Sequence, residues 1–250
     1  MRIFWLAGLG AAAYALFLVG TMPASFLLAQ ARASQPGKFD VHEAQGSAWR
    51  GRARVTVHTP GGPVAVDDLS WRLLPTRLAT GRVAFSIEAR AAGLEARYEG
   101  GRSITRWDVR DLGVRGSAAA MVTLLPWLSP WRPEGEVTIS SPRLDTDGQE
   151  LRGEARVEWR GASVGLSDVR PLGSYRADIR AEGHAGSLKV TTLDGPLRIT
   201  GQGMLTPPTR LDFTGEARAE GDAARALAPL LDLLGPARPD GARSIAWQVR

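Results

Sequence analysis

The sequence predicts a mainly β protein: a single N-terminal transmembrane helix followed by an antiparallel, curved β-sheet meander with one or two short helices. Three observations lead there. No charged side chain lies between Arg2 and Arg32. Beyond that run, apolar and polar residues alternate with period two, which gives a strand one apolar and one wet face. The alternating stretches are separated by Gly, Pro and Asp, the residues that tight turns require.

The elements follow in order. At about 1.5 Å per helical residue, the run through Trp5, Leu6, Leu16, Phe17, Leu18, Phe26 and Leu27 is long enough to cross a hydrocarbon layer about 30 Å thick. A cleaved signal has a shorter core, about 7–15 residues, so the length favours a retained anchor. The small-x-small patterns Ala29-Gln30-Ala31 and Ala31-Arg32-Ala33 are what cleavage would use instead. The expected division is an anchor over residues 1–33 and a β-rich domain over 34–250, with halves at 34–125 and 134–250. Arg2 on one side, and Arg32 and Lys38 on the other, leave the positive-inside comparison nearly level. The chain has no cysteine, so no disulfide framework reports its compartment.

Long alternating runs contain Val83, Phe85, Ile87 and Ala89; Leu151, Ala155, Val157 and Trp159; Tyr175, Ala177, Ile179 and Ala181; and Leu211, Phe213, Ala217 and Ala219. Shorter ones hold Val55 and Val57, Leu94 to Tyr98, Val137 and Ile139, Leu197 and Ile199, and Ile245 to Val249. Roughly ten short strands are expected, antiparallel because their apolar runs are one-sided. Breaks are expected at Thr59 to Pro63, Glu99 to Arg102, Asp145 to Gly148 and Leu193 to Pro196. Ala118 to Leu125 reads as one or two helical turns. Asp222 to Gly235 reads as a helix with an acidic start, an apolar stripe and a terminal glycine, kinked or divided at Pro229. Such helices would cap the sheet's apolar face, which is either a closed core or an open, lipid-accessible trough.

The net charge of +5 rests on arginines interleaved with Glu and Asp, without a basic cluster. That is the pattern of a solvated strand face, so no nucleic-acid partner is expected. Catalysis finds no constellation either. His42, His58 and His184 are scattered, there is no cysteine nucleophile, and no Gly-x-Ser-x-Gly elbow occurs. Asp67-Asp68 and Asp145-x-Asp147 read as turn chemistry more than as a calcium loop. No cofactor, no metal and no enzymatic activity are expected.

Two stretches echo each other. Gly46-Ser47-Ala48-Trp49-Arg50-Gly51 precedes Leu69-Ser70-Trp71-Arg72-Leu73-Leu74-Pro75-Thr76-Arg77-Leu78, and a Leu151 to Gly161 stretch bearing Trp159 precedes Leu172 to Tyr175. This suggests a duplicated β unit. With the anchor and the terminal Arg238-Pro239-Asp240-Gly241-Ala242-Arg243, these motifs resemble the type II secretion system protein N family over essentially the whole chain. The resemblance implies an accessory part in type II protein secretion, inner-membrane anchoring with the C-terminal domain in the periplasm of a Gram-negative bacterium, and contact with other secretion subunits and membrane lipid. The family is also similar in β pattern to the AsmA-like group, which implies a periplasmic lipid-binding or transfer groove as the alternative.

The candidate interaction residues are Trp49, Trp71, Trp127, Trp131, Arg238 and Arg243. Trp49 and Trp71 are either partner anchors or core plugs, and Gly46 and Gly51 beside Trp49 favour the plug. Trp159 has the phase of a core residue. Pro126-Trp127-Leu128-Ser129-Pro130-Trp131-Arg132-Pro133 reads as a stiff loop between the halves, presenting two indoles to lipid headgroups or a partner. Arg238 and Arg243 either bond Asp240 in a turn or bind an anion.

Overall fold

In this computed structural model, residues 20–59, 61–74, 83–102, 107–147, 149–206, 210–221 and 223–249 are described. Trp5, Leu6, Leu16, Phe17, Leu18, Pro75 to Leu78, Gly148 and Asp222 lie outside them, as does the side chain of Leu27. Among the described residues, no helix is long and apolar enough to cross a membrane.

Among the described residues, thirteen strands form one antiparallel sheet in strict chain order. They are β1 (Phe39–Gly46), β2 (Arg50–Thr59), β3 (Gly62–Leu74), β4 (Val83–Ala91), β5 (Leu94–Arg102), β6 (Trp107–Ser117), β7 (Glu134–Thr146), β8 (Leu151–Ser163), β9 (Gly173–Gly183), β10 (Gly186–Asp194), β11 (Leu197–Thr206), β12 (Arg210–Ala219) and β13 (Arg243–Val249). Each pairs with its sequence neighbours, so the sheet is open; among the described residues β1 and β13 each have one strand partner, and the outer edge of β13 is bridged at Arg243 by Ala237. Bulges interrupt the register at several steps, as between Val41 and Glu43 or Ser140 and Arg143. Each bulge bends its strand, which curves the sheet.

Among the described residues, three α-helices join the strands in the fold: α1 (Ala24–Ser34), α2 (Ala118–Leu124) and α3 (Ala223–Leu234). Ala24 and Leu28 of α1 are buried with Ala53, Val55 and Trp71. Thus the apolar run is not one continuous helix. Thr21 to Pro23 are non-helical, Pro23 bridges Ser47, and the residues after it pack on protein, while Phe26 stays exposed. Ser117 caps α2 by accepting from the Ala120 N–H at 3.1 Å. The amphipathic α3 buries Leu227, Leu230 and Leu231 over Leu197, Phe213, Ala217 and Ile245.

Several local expectations are corrected. The expected ten or so strands are thirteen. Pro229 sits inside an undivided α3, where the apolar stripe holds the helix onto the sheet on both sides of it. Glu99 to Arg102 is not a turn but the end of β5. Its glycines make room instead, since a Cβ on Gly100 would stand 2.8 Å from the Phe85 ring. The turn between β4 and β5 is Ala92-Gly93, both at positive φ (50° and 81°), as a two-residue hairpin loop demands. The Pro126 segment is a 3-10 helix, Pro126–Trp131. It does not separate two sheets, because β6 and β7 on either side of it pair directly.

Candidate interaction site

Half of the eight tryptophans gather at one place. Proline at the start of the 3-10 helix fixes φ, and the Arg132 N–H closes its end on Ser129 O at 3.2 Å. Arg132, at φ 45°, then turns the chain into β7. This short helix holds Trp127 and Trp131 over an apolar cleft of about 330 Å³. β8 and β13 contribute Trp159 and Trp247, and α3 contributes Leu230 and Leu234. Trp127 and Trp247 meet edge to face with centroids 6.3 Å apart, and they are 58 % and 51 % exposed. The rim is therefore open aromatic surface.

The deep aromatics hide their polar ends. Trp159 Nε1 donates to Glu134 O at 2.9 Å, and Tyr175 Oη donates to Leu197 O at 2.9 Å. The two rings pack at 6.2 Å. Burial, and then the nearby Asp194 charge, push the Tyr175 hydroxyl well above its usual range, so it stays protonated. What faces the cleft is carbon. Such a surface binds by losing water, and Tyr175 in its lining keeps its hydroxyl on Leu197 O. It lies beside β13, whose only strand partner among the described residues is β12 and whose outer edge is bridged at its start, Arg243 by Ala237 and the Ser244 N–H by Pro236 O at 3.0 Å.

The sequence-selected residues divide. Trp127 and Trp131 come together in the cleft. Trp71 is buried in the N-terminal core, and its Nε1 donates to Ala48 O at 3.1 Å. Gly51 makes room for the Trp71 ring, not for Trp49 as its position in sequence suggests. Trp49 is half-buried, and its carbonyl accepts from the Leu73 N–H at 2.7 Å. Arg238 pairs with Glu216 at 3.1 Å and reaches Asp240 at 3.9 Å, while Arg243 pairs with Asp232. Both charges are met within the chain. Asp240 is held below the usual carboxylate range by the Ala242 N–H first, then by Arg238 and Arg218.

Its strand phase places Trp159 on the core side, and nothing in the sequence marks Trp247 as more than part of a strand. Nothing in the spacing shows that β13 returns to the Pro126 segment. The acidic pairs correct the turn reading in part: Asp147 is a turn residue, but Asp67 and Asp68 lie within β3 at a bulge, and Asp145 lies within β7. Asp145 bonds Arg143 at 2.6 Å, and Asp147 accepts from the N–H groups of Gln149 and Glu150 at 3.0 and 2.9 Å. Among the described residues, no three His, Cys, Asp or Glu side chains cluster as a metal site would require.

Residues 37–246 match the family model described as type II secretion system (T2SS), protein N. The chain is also 26 % identical over 251 aligned positions to the type II secretion system protein N of Pectobacterium carotovorum subsp. carotovorum. That alignment covers 95 % of this chain and 93 % of the relative. No solved structure matches. The matched span runs from just before β1 into β13 and stops one residue short of Trp247, so it takes in the sheet up to the middle of its last strand, and on that breadth the chain belongs to the type II secretion system protein N family.

Proposed function

We propose that this chain is an accessory component of type II secretion that works by binding. In this reading residues 3–20 anchor it in the inner membrane, and the sheet stands in the periplasm as a scaffold for other secretion subunits. The uncharged stretch before Thr21 is long enough that a helix over it would span about 27 Å, close to the hydrocarbon thickness. The halves 34–125 and 134–250 are read as a duplication, since each begins with six strands and a helix follows the sixth: β1–β6 with α2, then β7–β12 with α3.

One observation carries the binding role: an aromatic cleft beside β13, whose outer edge is met at Arg243 and Ser244 by Ala237 and Pro236 and has no strand beyond them among the described residues. Edge strands accept a partner's strand through backbone hydrogen bonds, and an adjoining apolar pocket selects its side chains. Tryptophans at a rim make strong anchors. The test is a photoreactive residue in place of Trp127 in secreting cells, with Trp71 as the buried control. Adducts with secretin or inner-membrane platform subunits at Trp127 alone are expected. Absence of protein adducts at both positions refutes the docking role.

The carbon lining of the cleft favours a second reading, a periplasmic lipid-binding groove that takes an acyl chain. Phospholipid adducts alone, with lipid co-purifying in stoichiometric amount, would establish it instead.

A further inference from the structure

Arginine on the wet face of this sheet is mostly matched to acid across the strands. Arg156 faces Asp178, Arg176 faces Glu158 and Arg180 faces Glu154, all as ion pairs. Arginine faces arginine at three places: Arg50 with Arg72, Arg110 with Arg143, and Arg198 with Arg218. In two of these, each guanidinium has its own carboxylate. Arg110 and Arg143 pair with Asp108 and Asp145, and Arg198 and Arg218 pair with Glu220 and Asp240. Arg50 and Arg72 have no acid within ion-pair distance among the described residues, and neither does Arg52 on the same face. Like charges set directly opposite each other destabilise a sheet. An anion between them removes that cost.

The position of this cluster points to the source of the anion. Met22 O accepts from the Ala48 N–H at 2.8 Å, and Pro23 bridges Ser47. The turn that starts β2 at Arg50 is therefore fastened to the chain just after Gly20, within about 10 Å of contour from the end of the apolar run. A groove of about 590 Å³ opens there on the wet face. Gln45, Arg50, Arg52 and Arg72 line it, with Arg97, Glu88 and Glu99 further in. Arg97 lies 3.7 Å from Glu88, which leaves the near end cationic. The planar guanidinium fork matches phosphate oxygens in pairs.

We propose that Arg50, Arg52 and Arg72 dock on the phosphate headgroups of anionic phospholipid in the membrane that carries the anchor. The inference rests on the anchor reading above. Docking clamps the N-terminal edge of the sheet against the bilayer and fixes the direction in which the sheet projects from it.

The chain has no cysteine, so Ser86→Cys places a single fluorophore beside Arg72, its cross-strand neighbour. The full chain is reconstituted in nanodiscs of phosphatidylcholine alone or mixed with phosphatidylglycerol, both containing a headgroup-nitroxide lipid. Quenching is expected to be stronger in the anionic discs. The ratio of docked to undocked molecules should fall about fivefold for each arginine replaced by glutamine. The Arg72→Gln variant should keep or raise its urea midpoint, because an opposed charge is removed. Equal quenching in both discs, or quenching indifferent to the triple Arg50→Gln, Arg52→Gln, Arg72→Gln variant, overturns the proposal. Reversal by inorganic phosphate at constant ionic strength would assign the site to a free anion and overturn the lipid source. Alkaline extraction of membranes separates the two readings. Release of the chain defeats the anchor and this inference together, whereas retention with equal quenching defeats this inference alone.

Discussion

Replacing Gly51 with alanine tests the packing at the N-terminal end of the sheet. A Cβ there would stand 2.8 Å from Trp71 Cη2, closer still to Cζ2, and 2.8 Å from Gln45 O. Real Cβ atoms do not come so close, so the ring has to move. It cannot do so freely, because it is buried among Ala24, Leu28, Ala53 and Val55 and donates to Ala48 O. Overpacking of this kind costs about 2 kcal/mol. Trp71→Phe removes the encroaching benzo ring along with the hydrogen bond, for about 2 kcal/mol on its own. In the double variant the new methyl occupies space the indole has vacated. The summed loss should therefore fall short of additivity by about 1 kcal/mol, with the Gln45 carbonyl accounting for the strain that stays. Urea unfolding of the full chain in detergent, followed by far-ultraviolet circular dichroism, gives all four corners of the cycle. Additivity within about 0.3 kcal/mol would refute the reasoning, because it would mean that the methyl is accommodated without the Trp71 ring.

Leu227→Ala should cost about 3 kcal/mol by leaving a cavity under α3, since Leu227 is fully buried. Leu233→Ala, on the exposed side of the same helix, should change the urea midpoint by less than about 0.5 kcal/mol. Tyr175→Phe leaves Leu197 O without its hydroxyl donor and should cost about 1–2 kcal/mol. The folded Tyr175 titrates above its ordinary value of 10.0, so its contribution is complete below that pH and is lost as pH rises further. The Phe variant should accordingly show a shallower loss of melting temperature above it. Glu158 is held below its ordinary value of 4.5 by hydrogen bonds from Arg160 and Arg176. Its contribution is present above that value and is lost as pH falls through the folded pKa, so the melting temperatures of Glu158→Gln and the parent should converge in acid.

The alternation of Leu151 to Arg160 and of Tyr175 to Glu182 made β8 and β9 legible, because one face of each is wet along its whole length. β5 was harder. Gly100 and Gly101 read as a turn, yet they are strand glycines that admit the Phe85 ring and the Asp108 side chain. Only the cross-strand register of β4, β5 and β6 reveals that use. The site was half legible for a similar reason. Trp127 and Trp131 stand out because proline and tryptophan crowd together without periodicity. Trp247 looks like any strand residue until β13 is placed beside β12, and only then does it face Trp127. Local pattern reports which face a residue prefers, while the partner across 120 residues of chain depends on how far the sheet has curved.

A sheet in which every strand pairs with the one before it has a history built into its order. When the chain appears amino end first, each new strand finds its template already laid down, and none has to wait for a distant segment. Growth is a zipper with a moving end. Its last tooth presents backbone groups to whatever comes next, and the Trp127 helix, laid down between β6 and β7, has to wait for β13 before both walls of its cleft are in place. The same arithmetic lets such a protein lengthen or shorten by a hairpin without redrawing its neighbours. The span between two fixed points could then change by whole strands at a time.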